Sequence, residues 1–152
     1  MIEEGKPAPD FELTTDSGET VRLSSLRGRP VVLYFYPKDD TPGCTTQACG
    51  LRDAYDEFER AGAVVLGVST DDEASHAHFR DKYALPFSLL VDPDHEVADL
   101  YGTWGEKTYA GRKYTGTLRS TFVIGADGNV KKVIRDVKPA THADDVLAAL
   151  AE

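Results

Sequence analysis

The stretch that most constrains this chain runs from Val31 to Asp53. It opens with Val31-Val32-Leu33-Tyr34-Phe35-Tyr36, almost wholly β-branched or aromatic. Such a run predicts a strand covered on both faces, and therefore an α/β sheet. A turn-forming segment follows, Pro37-Lys38-Asp39-Asp40-Thr41-Pro42-Gly43. Then comes Cys44 and a stretch in which Leu51, Tyr55 and Phe58 fall at i, i+4 and i+7, the spacing of one helical face. A helix is expected from about Cys44 to Arg60, closed by Gly62. The stretch holds both cysteines of the protein, Cys44 and Cys49.

The rest of the pattern supplies further elements of a sheet. Phe11–Thr14 and Thr20–Leu23 flank Asp16-Ser17-Gly18 and read as an N-terminal hairpin. Val64–Ser69 is a second buried strand, and Asp71 or Asp72 caps a helix reaching about Tyr83. Ser88–Val91 is a short strand, followed by a helix over Glu96–Tyr101. The pattern fades from Gly102 to Gly116, which is expected to be a loop. Ser120–Ile124 and Val130–Arg135 form a hairpin around Ala126–Asn129, and a last helix starts at Thr141 or His142. Strands alternating with helices require parallel crossovers, and the last hairpin adds an antiparallel edge. The expected fold is α/β: one domain over residues 1–152, a mixed central sheet flanked by helices, of thioredoxin-like architecture.

Composition narrows the function. The 152 residues, 41% of them hydrophobic, suffice for one core. A net charge of -9 argues against nucleic acid or an anionic membrane as partner, since both require a basic face. Neither a signal peptide nor an apolar run of membrane-helix length is apparent, so a cytoplasmic protein is expected. In that compartment structural disulfides are rare, and two cysteines are more readily redox-active or simply buried.

Cys44 follows the C-terminal end of a strand and lies in the first turn of a helix. Ligands in α/β sheets bind at such strand ends. The helix start offers unpaired N–H groups and the positive end of the dipole, which favour the nucleophilic thiolate. Gly43 lets the backbone approach a small substrate closely. Thr41 offers a hydroxyl to the sulfur or to a bound oxygen. The plain alternative is an inert buried thiol, which the polar, turn-forming neighbours disfavour. No metal site is expected: the two cysteines lack zinc spacing, and His76 and His78 point to different helix faces. His95 and His142 read as solvated cap or turn residues. No cofactor-binding motif is found.

The segment Pro37-Lys38-Asp39-Asp40-Thr41-Pro42-Gly43-Cys44 resembles the peroxiredoxin signature of Pro, three residues, Thr, two residues, Cys. Cys49-Gly50-Leu51-Arg52-Asp53, Trp104-Gly105-Glu106-Lys107 with Tyr114 and Gly116, and Arg119-Ser120-Thr121-Phe122 are similar to the Q-type subfamily, the bacterioferritin comigratory proteins. The likeness runs through essentially the whole chain. It implies a thioredoxin fold and reduction of hydrogen peroxide and organic hydroperoxides. It also implies Cys44 as the peroxidatic cysteine, Thr41 and Arg119 as its partners, Pro37 as a shield of the site, and thioredoxin as reductant. Arg52, eight positions along the same helix, is expected to support the site from below.

Attack on a peroxide leaves Cys44 as a sulfenic acid, which condenses with a thiol. Cys49 is the only other cysteine. Five residues of helix rise about 7.5 Å, beyond disulfide reach of about 7 Å between Cα atoms. Pairing therefore demands unwinding from Cys44 to about Leu51, eased by Gly50. The alternative is that Cys49 is structural and an outside thiol resolves Cys44. Absence of a tail after the last helix leads us to expect resolution within one chain, hence a monomer. A redox-sensing module that signals through a partner remains a second reading. It would use the same cysteines without needing Thr41 or Arg119.

Overall fold

The computed structural model describes residues 2–152, apart from the side chain of Tyr109. Its centre is the apolar run at Val31. Strand β3 (Val31–Phe35) is buried at every position. Side chains alternate across a strand, and here Val32 and Tyr34 enter one core layer while Val31, Leu33 and Phe35 enter the other. Around β3 assemble β1 (Glu12–Thr15), β2 (Thr20–Arg22), β4 (Val64–Ser69), β5 (Ser88–Val91), β8 (Ser120–Ile124) and β9 (Val130–Ile134). They form a seven-stranded sheet in the order β2-β1-β5-β4-β3-β8-β9. Strands β3, β4 and β5 are mutually parallel, while β1 and β8 join them antiparallel.

Helices α1 (Pro42–Asp53), α2 (Tyr55–Arg60), α3 (Glu73–Lys82) and α5 (His142–Ala151) contribute Leu51, Phe58, Phe79 and Val146 to the first layer. Helix α4 (Glu96–Leu100) contributes Val97 and Ala98 to the second. The mixed, helix-flanked sheet and the N-terminal hairpin are as expected. No described helix is long and apolar enough to cross a membrane.

Two expectations are corrected. The single helix over 44–60 is two helices that meet at Ala54 (φ -98°, ψ 9°), and the first begins at Pro42, two residues early. Proline is well placed there because the first helical N–H has no intrahelical partner to lose. Residues 102–116 are not merely a loop. They contain a two-stranded ribbon, β6 (Trp104–Tyr109) against β7 (Arg112–Thr117). Its two-residue turn has positive φ at both Ala110 (52°) and Gly111 (78°), the requirement of a type I′ hairpin.

One register places the site. In the antiparallel β3–β8 pair, Phe35 faces Ser120 and Tyr34 faces Thr121. Arg119 therefore stands at the mouth of β8, beside the point where β3 runs out into the loop that carries Cys44.

Candidate active site

Cys44 is buried, with 1% of its surface exposed, in the first turn of α1. Thr41 is the residue before that helix, extended at φ -100° and ψ 156°. Its side chain does not cap the helix; the hydroxyl donates instead to the Lys38 carbonyl at 2.8 Å. No acidic residue occupies the first turn. The positive end of the helix is thus left to whatever lies over Cys44.

Arg119 lies there. A Cβ on Gly43 would stand 3.1 Å from Arg119 Nη2, so the guanidinium crosses the backbone directly before Cys44. Arg119 Nη1 donates to Gln47 Oε1 at 2.6 Å. The absence of a side chain at Gly43 is what lets the cation approach. Accordingly Gly43→Ala should displace the guanidinium by a few tenths of an ångström and slow peroxide attack on Cys44 by about 10-fold, given the cost of misplaced catalytic groups. Stopped-flow oxidation of the variant checks this.

The loop that delivers Thr41 is fastened from below. Asp39 is buried, and its carboxylate accepts from Tyr36 Oη and from Ser75 Oγ. His76 Nδ1 lies 2.6 Å from Asp39 Oδ2, and His76 Nε2 lies 2.8 Å from the Leu90 carbonyl. The Asp39 amide donates to Asp71, whose same oxygen accepts from Ser69. Burial pulls the His76 pKa down, but the hydrogen bond and charge of Asp39 outweigh it and the net direction is up. Asp39, Asp71 and His76 bring ligand-type atoms within 4.8 Å of one another. The oxygens that converge are engaged in these hydrogen bonds, so the group reads as a fastening of the loop. Asp40, in the left-handed region at φ 56°, adds bonds to Lys82 and Tyr83.

Pro37, Cys49 and Arg52 complete the set of expected residues. Pro37 is half-buried at the start of the loop. Cys49 is half-buried and, like Cys44, a free thiol. Both lie on the intact α1. Arg52 donates from Nη1 to the Tyr83 carbonyl and from Nε to Asp53, tying α1 to the end of α3.

Sequence reasoning missed several members of the site. His142, expected to be a solvated cap residue, is buried at 1% exposure. Its Nδ1 is 3.3 Å from Gln47 Nε2 and its Nε2 is 2.7 Å from Thr121 Oγ1. The reason is packing: the first turn of α5 rests on α1, where Ala143 lies under Gly50. His142 shares the spacing i, i+4, i+7 with Val146 and Ala149, a signal that would have found it. His76 likewise precedes Phe79 and Tyr83 at i+3 and i+7. Lys107, from β6, donates to the Thr117 carbonyl at 2.8 Å. Burial and then the Arg119 charge hold its pKa below the usual lysine range. His95 stands in a turn as expected, but its ring stacks on Trp104 at 4.0 Å between centroids.

Known proteins resemble this chain over nearly its whole length. The AhpC/TSA family profile matches residues 5–133. Peroxiredoxin Bcp of Bacillus subtilis is 47% identical over 151 residues, covering 99% of this chain and 96% of that protein. Peroxiredoxin Bcp of Escherichia coli is 47% identical over the same length, covering 99% and 97%. The bacterioferritin comigratory protein of Xanthomonas campestris, studied for alkyl peroxide reduction, superposes with a TM-score of 0.91 at 38% identity, covering 98% of both chains. A cysteine-to-serine mutant of Xylella fastidiosa PrxQ superposes at 0.93 with 33% identity, covering 99% and 96%. With a buried thiol at a helix start, a guanidinium across the glycine before it, and matches over nearly its whole length, the chain belongs to the AhpC/TSA family, as a thiol peroxidase of the Bcp or Q-type peroxiredoxins.

Proposed function

We propose that Cys44 is the peroxidatic residue and that Cys49 resolves it within the same chain. The thiolate of Cys44 attacks one oxygen of a hydroperoxide. The S–O bond forms as the O–O bond breaks, and the departing oxygen takes a proton to leave as water or an alcohol. The observation that carries this reading is Arg119 held across Gly43, because a fixed cation beside the reacting pair stabilises the charge that moves from sulfur to oxygen. Thr41 supplies the nearby hydroxyl, and Pro37 closes the loop over the site.

The sulfenic acid then condenses with the Cys49 thiol, releasing water and forming a disulfide. The two residues are five apart on one helix, a rise of about 7.5 Å, so α1 must open between them before the bond can close. A dithiol protein of the thioredoxin kind restores both thiols by exchange, becoming a disulfide itself. The relatives' names support peroxide as substrate; thioredoxin as reductant, a monomeric state and a cytoplasmic setting are parts of the same proposal.

The variants Cys44→Ser and Cys49→Ser separate the two roles. The first should lose peroxide consumption entirely. The second should consume one equivalent and then stall with thioredoxin as reductant, leaving a sulfenic acid trappable by dimedone. Continued turnover by Cys44→Ser contradicts the assignment of Cys44; undiminished thioredoxin-linked turnover by Cys49→Ser contradicts that of Cys49.

A further inference from the structure

Behind Arg119 runs a polar chain that crosses three elements and that the proposed chemistry does not by itself require. Arg119, at the mouth of β8, donates to Gln47 Oε1 on α1. Gln47 Nε2 meets His142 Nδ1 at the start of α5. His142 Nε2 meets Thr121 Oγ1 back on β8. Gln47, His142 and Thr121 are each essentially without solvent contact, at 0%, 1% and 0% exposure.

The donor and acceptor roles along this chain are fixed by elimination. A guanidinium only donates, so the end of Gln47 that faces it must be the carbonyl oxygen. The other end is then the NH2 group, and buried donors require acceptors. His142 Nδ1 can accept only when unprotonated, which places the imidazole hydrogen on Nε2, toward the threonine oxygen. Burial, with the Arg119 charge acting in the same sense, pushes the His142 pKa down to about 4, so the ring is neutral near pH 7.

The amide of Gln47 has two orientations. Reversed, it would present NH2 to the guanidinium, donor against donor, and push Arg119 off its place across Gly43. Nothing on Gln47 itself chooses between them. We propose that His142 is a positioning residue for Arg119: its bare Nδ1, with the ring hydrogen on Nε2 bonded to Thr121 Oγ1, accepts from the Gln47 amide and so keeps the Gln47 oxygen toward the guanidinium that crosses Gly43. The sequence at the start of α5 thereby enters the peroxide reaction without touching substrate. This rests on the reading that Cys44 attacks peroxide with Arg119 beside it.

The test is the second-order rate constant for peroxide-dependent loss of the Cys44 thiol, measured in four proteins: wild type, His142→Phe, Arg119→Met and the double variant. Phenylalanine keeps a ring against Tyr34, which lies near His142 at 5.7 Å between centroids, but offers Gln47 no acceptor. His142→Phe should slow attack by about 10-fold in the wild-type background, and by less than about twofold when added to R119M, because residues that act through one another are not additive. An equal slowing in both backgrounds would mark general distortion and overturn the proposal, as would no slowing in either. Folding is checked by leaving the chain unmutated: long-range 15N–1H spectra of the wild type at pH 7 should show His142 protonated at Nε2 and bare at Nδ1. The opposite tautomer overturns the proposal whatever the variants do. A wild type whose Cys44 ignores peroxide sinks the peroxidase reading instead, and leaves the tautomer result standing.

Discussion

Arg119→Met should lower the rate of peroxide attack on Cys44 by about 10²- to 10³-fold, the usual loss when one preorganised group is withdrawn from a developing charge. The expectation comes from position. The guanidinium approaches the place of a Gly43 side chain within 3.1 Å, and a 2.6 Å hydrogen bond to Gln47 prevents it from swinging away. Its charge is already in place when sulfur loses and oxygen gains electron density, so no reorganisation is needed during the reaction. Methionine retains the length and apolar stem but not the charge. Arg119→Lys should fall between the two, because an ammonium cannot both reach across Gly43 and keep a planar fork on Gln47. Stopped-flow oxidation of the reduced proteins checks both. A loss smaller than about threefold in R119M would mean that helix α1 alone, through its dipole, activates the sulfur.

The largest effect on stability should come from His76→Ala, which ought to cost about 3–5 kcal/mol, as breaking one partner of a buried ion pair does. Both ring nitrogens of His76 face oxygens, Asp39 on one side and the Leu90 carbonyl on the other. An arrangement of two acceptors suits the doubly protonated ring. Removing it leaves the Asp39 carboxylate without a counter-charge, held by the Tyr36 and Ser75 hydroxyls alone, in a pocket where its own exposure is 7%. The pH dependence follows from the raised pKa of His76. A group whose folded pKa exceeds the unfolded value, about 6.5, contributes its stability fully below that value and loses it as pH rises through the folded pKa. Urea unfolding of the wild type should therefore show stability lost on the alkaline side, and His76→Ala should lack that component. The local counterpart is faster amide exchange over Lys38–Thr41 in the variant, since Asp39 and Asp40 hold that loop on α3. An unchanged midpoint would contradict this anchoring of the loop.

The two predictions draw on residues that were unequally legible in the sequence. The strands around the centre were plain, because β3 and β8 are apolar or small at nearly every position and need only be recognised as covered on both faces. Cys44 was plain as well, since a strand end, a turn rich in proline and glycine, and a helical repeat leave few other uses for a cysteine there. Arg119 was not. Its place over Gly43 comes from the β3–β8 register, a contact between residues more than seventy positions apart, and only the family resemblance singled it out.

Other parts were hidden for local reasons. The break at Ala54 carries no proline or glycine to mark it. The β6–β7 ribbon is mostly solvated, with β7 exposed from Arg112 to Thr115, so it shows no alternation of polar and apolar residues. Its turn is Ala-Gly, with alanine in the left-handed region where asparagine or aspartate would have been the clearer signal. His76 enters the sequence reading only as a rejected metal ligand and His142 as a solvated cap or turn residue, although each lies on the apolar repeat of its helix. Their burial is tolerated because every ring nitrogen has a partner.

The central claim, that Cys44 is oxidised by peroxide and resolved by Cys49 in the same chain, is tested most directly by treating the fully reduced protein with one equivalent of hydrogen peroxide. Intact mass and free thiols are then measured. The expected result is a loss of two hydrogens from the monomer mass, no remaining free thiol and no covalent dimer. A gain of oxygen with one thiol still free would contradict resolution by Cys49, and an unchanged mass with both thiols free would contradict the assignment of Cys44 itself.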